Sequence, residues 1–147
     1  PPVKSLIVCG PEMPEEQRTR LQRQAVTDSS VIFREFAGDL MSLMAAADAV
    51  VSMGGYNTVC EILSLKKRAV VIPRAHPTEE QWIRANRMSR LGLFRAIHPD
   101  ALTPELLIRN VMECLAEDFK PPQFELNLNA LPVVAAQVKA MLFDHQD

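Results

Sequence analysis

Short apolar runs separated by helix-like stretches recur along most of the chain, and this alternation constrains the fold more than any other feature. Lys4–Cys9, Val31–Phe36, Ala49–Ser52 and Ala69–Pro73 are such runs, and Leu93–Ile97 is a candidate fifth. Apolar runs without polar alternation predict strands buried on both faces. Between and after them, helices are expected at Met13–Val26, Leu40–Ala47, Asn57–Leu65, Thr78–Leu91, Glu105–Ala116 and Ala130–Phe143. Strand then helix, repeated four or five times, predicts an α/β fold: a doubly wound, mostly parallel sheet with helices on both faces. The 147 residues suit a single domain over 1–147, with 120–129 as a Pro-containing linker to a last helix at 130–143. In such sheets ligands bind outside the C-terminal ends of the strands. The loops to watch are therefore Gly10–Met13, Phe36–Asp39, Met53–Thr58 and Arg74–Gln81.

Helix ends carry readable signals. Asp39 is a good N-cap for the helix at Leu40, and Thr103-Pro104 pairs a cap with a favoured first-turn proline. Gly92 fits a left-handed C-terminal cap. Lys66, Lys67 and Arg68 lie where cations favour the negative end of a helix. The helix at Leu40–Ala47 is apolar nearly all round, and core burial is expected to account for such apolar helices. Arg84, Arg87 and Arg90 read as a solvated helix face.

Composition removes several classes. Hydrophobic residues are 48% and charged residues 23%, as in globular proteins and unlike disordered or fibrous ones. A net charge of −2 and few aromatics exclude an obvious nucleic-acid surface. Cys9, Cys60 and Cys114 are odd in number and scattered, which fits neither a disulfide framework nor a zinc site and points to a reducing, cytoplasmic compartment. No apolar run approaches the roughly 18 residues of a membrane span, and no signal peptide is recognisable. The first residue is Pro, which predicts a piece of something longer; removal of an initiator Met is the other explanation.

Val51-Ser52-Met53-Gly54-Gly55-Tyr56-Asn57-Thr58-Val59-Cys60-Glu61 is the most informative stretch. Two glycines directly after a strand let backbone N–H groups approach a ligand without Cβ obstruction. The following helix N-terminus has unpaired N–H groups and favours phosphate. Asn57 and Thr58 add side-chain donors, and Glu61 can accept from ribose hydroxyls. The alternative is structural: a tight turn at Gly54-Gly55 and a capping box, Thr58-x-x-Glu61. The stretch is not a P-loop, since no Gly-Lys-Ser/Thr follows, and it lacks the third glycine of a dinucleotide fingerprint.

A second loop, Arg74-Ala75-His76-Pro77-Thr78-Glu79-Glu80-Gln81, follows the fourth strand. Glu80 and Gln81 can point at the same crevice and bond sugar hydroxyls; the alternative is again a capping box, Thr78-x-x-Gln81. His76 is a candidate acid, base or phosphate contact, against the reading of a merely exposed loop histidine.

Taken together, Gly55-Tyr56-Asn57-Thr58-x-x-Glu61 and Glu80-Gln81 resemble the donor-binding C-terminal domain of GT-B glycosyltransferases, most closely the MurG-like family (glycosyltransferase family 28). The framework runs Ala47–Ser52 and Ala69–Pro73 are similar too. The resemblance is good over about Phe36 to Leu93. It implies a Rossmann-like half of a GT-B fold, truncated at its start, and a hexosyltransferase using a UDP-sugar, with UDP-GlcNAc a candidate. It further implies that Gly54, Gly55, Tyr56, Asn57 and Thr58 hold the diphosphate, Glu61 the ribose, Glu80 and Gln81 the donor sugar, and Phe36 the uracil. No cofactor and no metal are expected, because helix N–H groups stabilise the leaving diphosphate. The catalytic base and acceptor site would belong to an N-terminal domain or partner chain outside this sequence. The chain alone would then bind donor and transfer nothing, and any peripheral membrane contact would run through that other part.

Two departures bear on specificity. Met53 stands where the plant transferase signature has His, and Glu80 stands where the MurG-like pattern has Gln. Competing readings are a stand-alone nucleotide-sugar-binding subunit needing a partner chain, a sugar-nucleotide epimerase, and a ligand-free interaction module. Tyr56-Asn57-Thr58 disfavours the epimerase, which tends to place carboxylates directly after the glycines.

Overall fold

In the computed structural model, residues 3–116, 126 and 128–143 are described. The strands are β1 (Ser5–Val8), β2 (Val31–Arg34), β3 (Val50–Ser52), β4 (Ala69–Val71) and β5 (Arg95–Ala96). The helices are α1 (Glu15–Thr27), α2 (Leu40–Ala46), α3 (Tyr56–Ser64), α4 (Glu80–Arg90), α5 (Pro104–Ala116) and α6 (Leu131–Phe143), with a 3-10 turn at Pro99–Ala101. The α/β order expected from the alternation is therefore present, and all strand pairing is parallel. The expected linker 120–129 lies largely outside the described residues.

The strands form two sheets within two compact units, Pro1–Leu43 and Met44–Asp147. In the first unit β1 pairs with β2, Ser5 opposite Val31 and Val8 opposite Arg34. In the second unit the order is β3-β4-β5, with Ser52 opposite Val71 and Val71 opposite Ala96. The expectation that every strand is buried on both faces holds only for β4, all three residues of which are buried. β4 alone has a strand on either side; each of the others has one neighbour and is partly exposed. The main core gathers Met44, Val59, Ile62, Ala69, Val71, Ala85, Leu93 and Phe94, joining α2, α3 and α4 to β4. On the other side Val70, Ile97 and Cys114 pack with Leu106, Leu107 and Val111, so helices do cover both faces of β4.

Two apolar helices depart from expectation. α2 buries only Met44, while Leu40 and Met41 are 37% and 40% exposed. A helix of seven residues makes two turns, and one side chain of it reaches the main cluster. α6 is exposed along its described length, from Leu131 at 79% to Met141 at 76%. Core burial thus accounts for neither helix as a whole.

The end signals fare better. Asp39 accepts the Ser42 N–H at 3.0 Å, and Thr103 accepts the Leu106 N–H at 3.2 Å. Gly92 has φ of 74°, with its N–H on the Ser89 carbonyl and that of Leu93 on Met88. α3 closes in the same pattern: Lys66 N–H bonds Leu63 and Lys67 N–H bonds Ile62. Here Lys66, at φ of 51°, occupies the left-handed position that glycine usually takes. Arg68 reaches elsewhere, donating to the Cys114 and Leu115 carbonyls at the end of α5. The three cysteines are free thiols, as expected. No described helix is long and apolar enough to cross a membrane.

Candidate functional site

β3 and β4 run parallel, so the glycine turn after β3 and the loop after β4 leave the same end of the sheet. The Ile72 N–H extends the ladder by bonding the Ser52 carbonyl at 2.8 Å. Beyond that bond the two segments open into α3 and α4.

The two glycines have different roles. Gly54 has φ of +69°, and a Cβ on it would lie 2.5 Å from Cγ1 of Val71. Its lack of a side chain serves the turn and the packing on β4. Gly55 has φ of −55°, and a Cβ there would meet nothing within 4 Å. Gly55 is the N-cap of α3. The structural explanation therefore accounts for Gly54, while the backbone at Gly55 is left open.

Neither capping box forms. α3 starts at Tyr56 with Gly55 as N-cap, so Thr58 lies within the first turn, and no side chain caps the helix. α4 starts at Glu80 with Glu79 as N-cap, again without a side-chain cap. Gln81 Oε1 instead accepts the Arg74 N–H at 3.3 Å, tying the loop to the helix. α5 of the same unit is capped by Thr103. α3 and α4 thus begin without side-chain caps, as α1 also does.

Arg84 is the main correction to the sequence reading. Its guanidinium donates to the Gly54 carbonyl at 3.2 Å and pairs with the Glu80 carboxylate. It also lies 5.8 Å from the centre of the Tyr56 ring. Its side chain is only 20% exposed, so it is no solvated face; it links the glycine turn, the start of α3 and the start of α4. The available signal was its spacing: one turn after Glu80, it shares a helix face with that carboxylate.

The other candidates are placed as follows. Tyr56 and Asn57 are exposed at the start of α3, and Thr58 and Glu61 are half-buried. Glu80 is exposed and Gln81 half-buried on α4, whereas His76 is exposed in the loop before it. Phe36 is 78% exposed in the first unit, just past β2. Sequence reasoning passed over His98 and Trp82. His98 follows β5 at the same end of the sheet, and its ring meets that of Trp82 edge-on at 4.7 Å. His98 Nδ1 accepts the Asp100 N–H at 3.2 Å, capping the 3-10 turn.

Comparison with known proteins decides the family. Residues 2–143 match the glycosyltransferase family 28 C-terminal domain. The chain belongs to that family. The UDP-N-acetylglucosamine--N-acetylmuramyl-(pentapeptide) pyrophosphoryl-undecaprenol N-acetylglucosamine transferase of Haemophilus influenzae (strain PittEE) is 27% identical over 108 residues, covering 74% of this chain and 31% of the relative. The enzyme of the same name from Clostridium perfringens (strain SM101 / Type A) is 34% identical over 77 residues, 51% of this chain and 22% of the relative. The family 28 chain thus spans about a third or less of the length of these curated relatives. Among solved structures, glycosyltransferase VinC in complex with dTDP has a TM-score of 0.60 at 20% identity, over 78% of this chain and 27% of VinC. The glycotransferase of kitacinnamycin has a TM-score of 0.53 at 23% identity, over 78% of this chain and 25% of that one. These glycosyltransferases share the fold of the family 28 chain.

Proposed function

We propose that this chain is the donor-binding part of a glycosyltransferase that moves a hexose or N-acetylhexosamine from a UDP-sugar, UDP-GlcNAc being one candidate, to an acceptor. The observation that carries the reading is the N-terminus of α3, which opens directly after β3 without a side-chain cap and without an acidic residue in its first turn. Unpaired N–H groups at such a position suit a diphosphate. The named relatives are UDP-N-acetylglucosamine-dependent enzymes, and VinC was solved with dTDP.

In this reading the first turn of α3, from Gly54 to Thr58, holds the diphosphate. Glu61 takes the ribose hydroxyls, and Glu80 and Gln81 the donor sugar. His76 stands ready as a phosphate contact. When the bond between the anomeric carbon and the phosphate oxygen breaks, the electron pair leaves with UDP, and the N–H groups stabilise that charge without a metal ion. The acceptor and the base that takes its proton lie in another domain or chain, so this chain alone transfers nothing. The working compartment is the cytoplasm.

Calorimetric titration with UDP, UDP-GlcNAc, GDP and TDP tests the reading. UDP and its sugar should bind, and more tightly than GDP. No binding of any of the four at millimolar concentration overturns the proposal. Glu61→Ala should weaken UDP by about tenfold while costing under about 0.5 kcal/mol of stability, because no capping box is lost. Unchanged affinity would remove Glu61 from the site.

A further inference from the structure

We infer that Arg84 is a positioning residue that holds the peptide between Gly54 and Gly55 in one of its two orientations, and so decides whether the turn before α3 presents an N–H or a carbonyl oxygen. The consequence for nucleotide binding rests on the donor-site reading above. Gly54 is held on three sides. Its N–H donates to the Ser52 hydroxyl oxygen at 3.3 Å. A Cβ on it would lie 2.5 Å from Val71 Cγ1 and 3.8 Å from Pro73 Cβ. Its carbonyl accepts from the Arg84 guanidinium at 3.2 Å. Gly55 differs: its carbonyl accepts the Val59 N–H at 2.9 Å, and a Cβ on it would meet nothing within 4 Å.

A peptide turns over by rotating ψ of the residue before it and φ of the residue after it. Here both residues are glycines, so no Cβ opposes the second orientation. The Ser52 bond and the Val71 contact act before the peptide plane, and the Val59 bond acts beyond it. The bond from Arg84 is the one that acts on the plane itself. The peptide is trans, so its carbonyl and N–H point in opposite directions. With the Gly54 carbonyl drawn to Arg84, the Gly55 N–H faces the other way. Turned over, the same place would present the carbonyl oxygen, which repels a phosphate that an N–H attracts. Arg84 can act in this way because it is ordered by its other neighbours. It pairs with Glu80 one turn earlier, lies 5.8 Å from the centre of the Tyr56 ring, and is 20% exposed. Its planar fork therefore meets the carbonyl with little freedom left to lose.

The test reads the turn and the nucleotide separately. The chain has five glycines, so isotope labelling at glycine alone gives a sparse NMR spectrum in which Gly55 is identified by its loss in Gly55→Ala. In nucleotide-free Arg84→Met, which has no donor, the Gly55 amide signal should shift and broaden or double, while Gly10 and Gly38 of the first unit stay in place. UDP affinity by calorimetry should fall about tenfold in the same variant. Arg84→Lys keeps a donor without the fork and should recover part of both effects. An unmoved Gly55 signal in Arg84→Met overturns the inference, whatever happens to UDP. A moved signal with unchanged UDP affinity overturns the positioning role and leaves the donor-site reading standing. If UDP does not bind the unaltered protein, the donor-site reading falls and the positioning role falls with it. Should Arg84→Met fail to fold by circular dichroism, Arg84→Lys decides: a shifted Gly55 signal with UDP weakened about threefold is expected, and no change in either overturns the inference.

Discussion

Gly54 and Gly55 are neighbours in sequence with opposite physical requirements, and paired substitutions separate them. Gly54→Ala places a methyl 2.5 Å from Val71 Cγ1 at a positive φ, so it should cost about 2–4 kcal/mol of stability by urea unfolding. Gly55→Ala meets no neighbouring atom and should leave stability within about 0.5 kcal/mol, yet weaken UDP wherever a phosphate approaches that backbone. Equal nucleotide loss in both, in proportion to stability, would remove Gly55 from the site. Lys66 offers the converse case. It holds a left-handed position at φ of 51°, and Lys66→Gly should stabilise the chain by about 0.5–1 kcal/mol. The sequence marked the glycines but could not divide their labour, because the clash with Val71 depends on the register of β4 against β3. It read Lys66 through its charge, whereas its backbone conformation is what closes α3.

At the scale of the element, helix starts were legible where a cap is local. Asp39 and Thr103 act within three residues of themselves, and both are found as read. The boxes Thr58-x-x-Glu61 and Thr78-x-x-Gln81 were equally good patterns, but α3 starts two residues before Thr58 and α4 two residues after Thr78. Where a helix begins is set by the turn that feeds it, and here that turn is fixed by long-range bonds: Ile72 N–H to Ser52, and Arg84 to Gly54. Arg84 was misread for the same reason, since its main partner is thirty residues away. The Asp39 cap also makes a pH prediction. Its hydrogen bonds with Ser42, the side chain first and then the backbone, lower its carboxyl below the ordinary range. A lowered folded value means the stabilisation is complete above the ordinary aspartate pKa and is lost as pH falls through the lowered one. Asp39→Asn should therefore flatten the acid limb of the urea midpoint below about pH 4. An unchanged limb would show that the cap contributes nothing to acid sensitivity.

At the scale of the whole molecule, the alternation foretold an α/β chain with parallel pairing but not the division of its strands into two units. Nothing in a strand's composition states which neighbour it takes. The units differ in how much they bury. Among the described residues, Cys9 is the one buried hydrophobic residue of the first unit, whereas β4 of the second is buried throughout. Amide exchange should therefore be slowest at β4 and faster at β1 and β2; equal protection would contradict this ordering. The cations of the second unit add a last consequence. Lys67 donates to the Ala47 carbonyl just past α2, and Arg68 donates to the last carbonyls of α5. Arg68 precedes the first residue of β4, at the end of the sheet opposite the glycine turn. Basic side chains thus meet the negative poles of helices at one edge, while the positive pole of α3 opens at the other with neither a side-chain cap nor an acidic residue in its first turn. A net charge of −2 says nothing of how these helix ends are arranged, which no residue count would register.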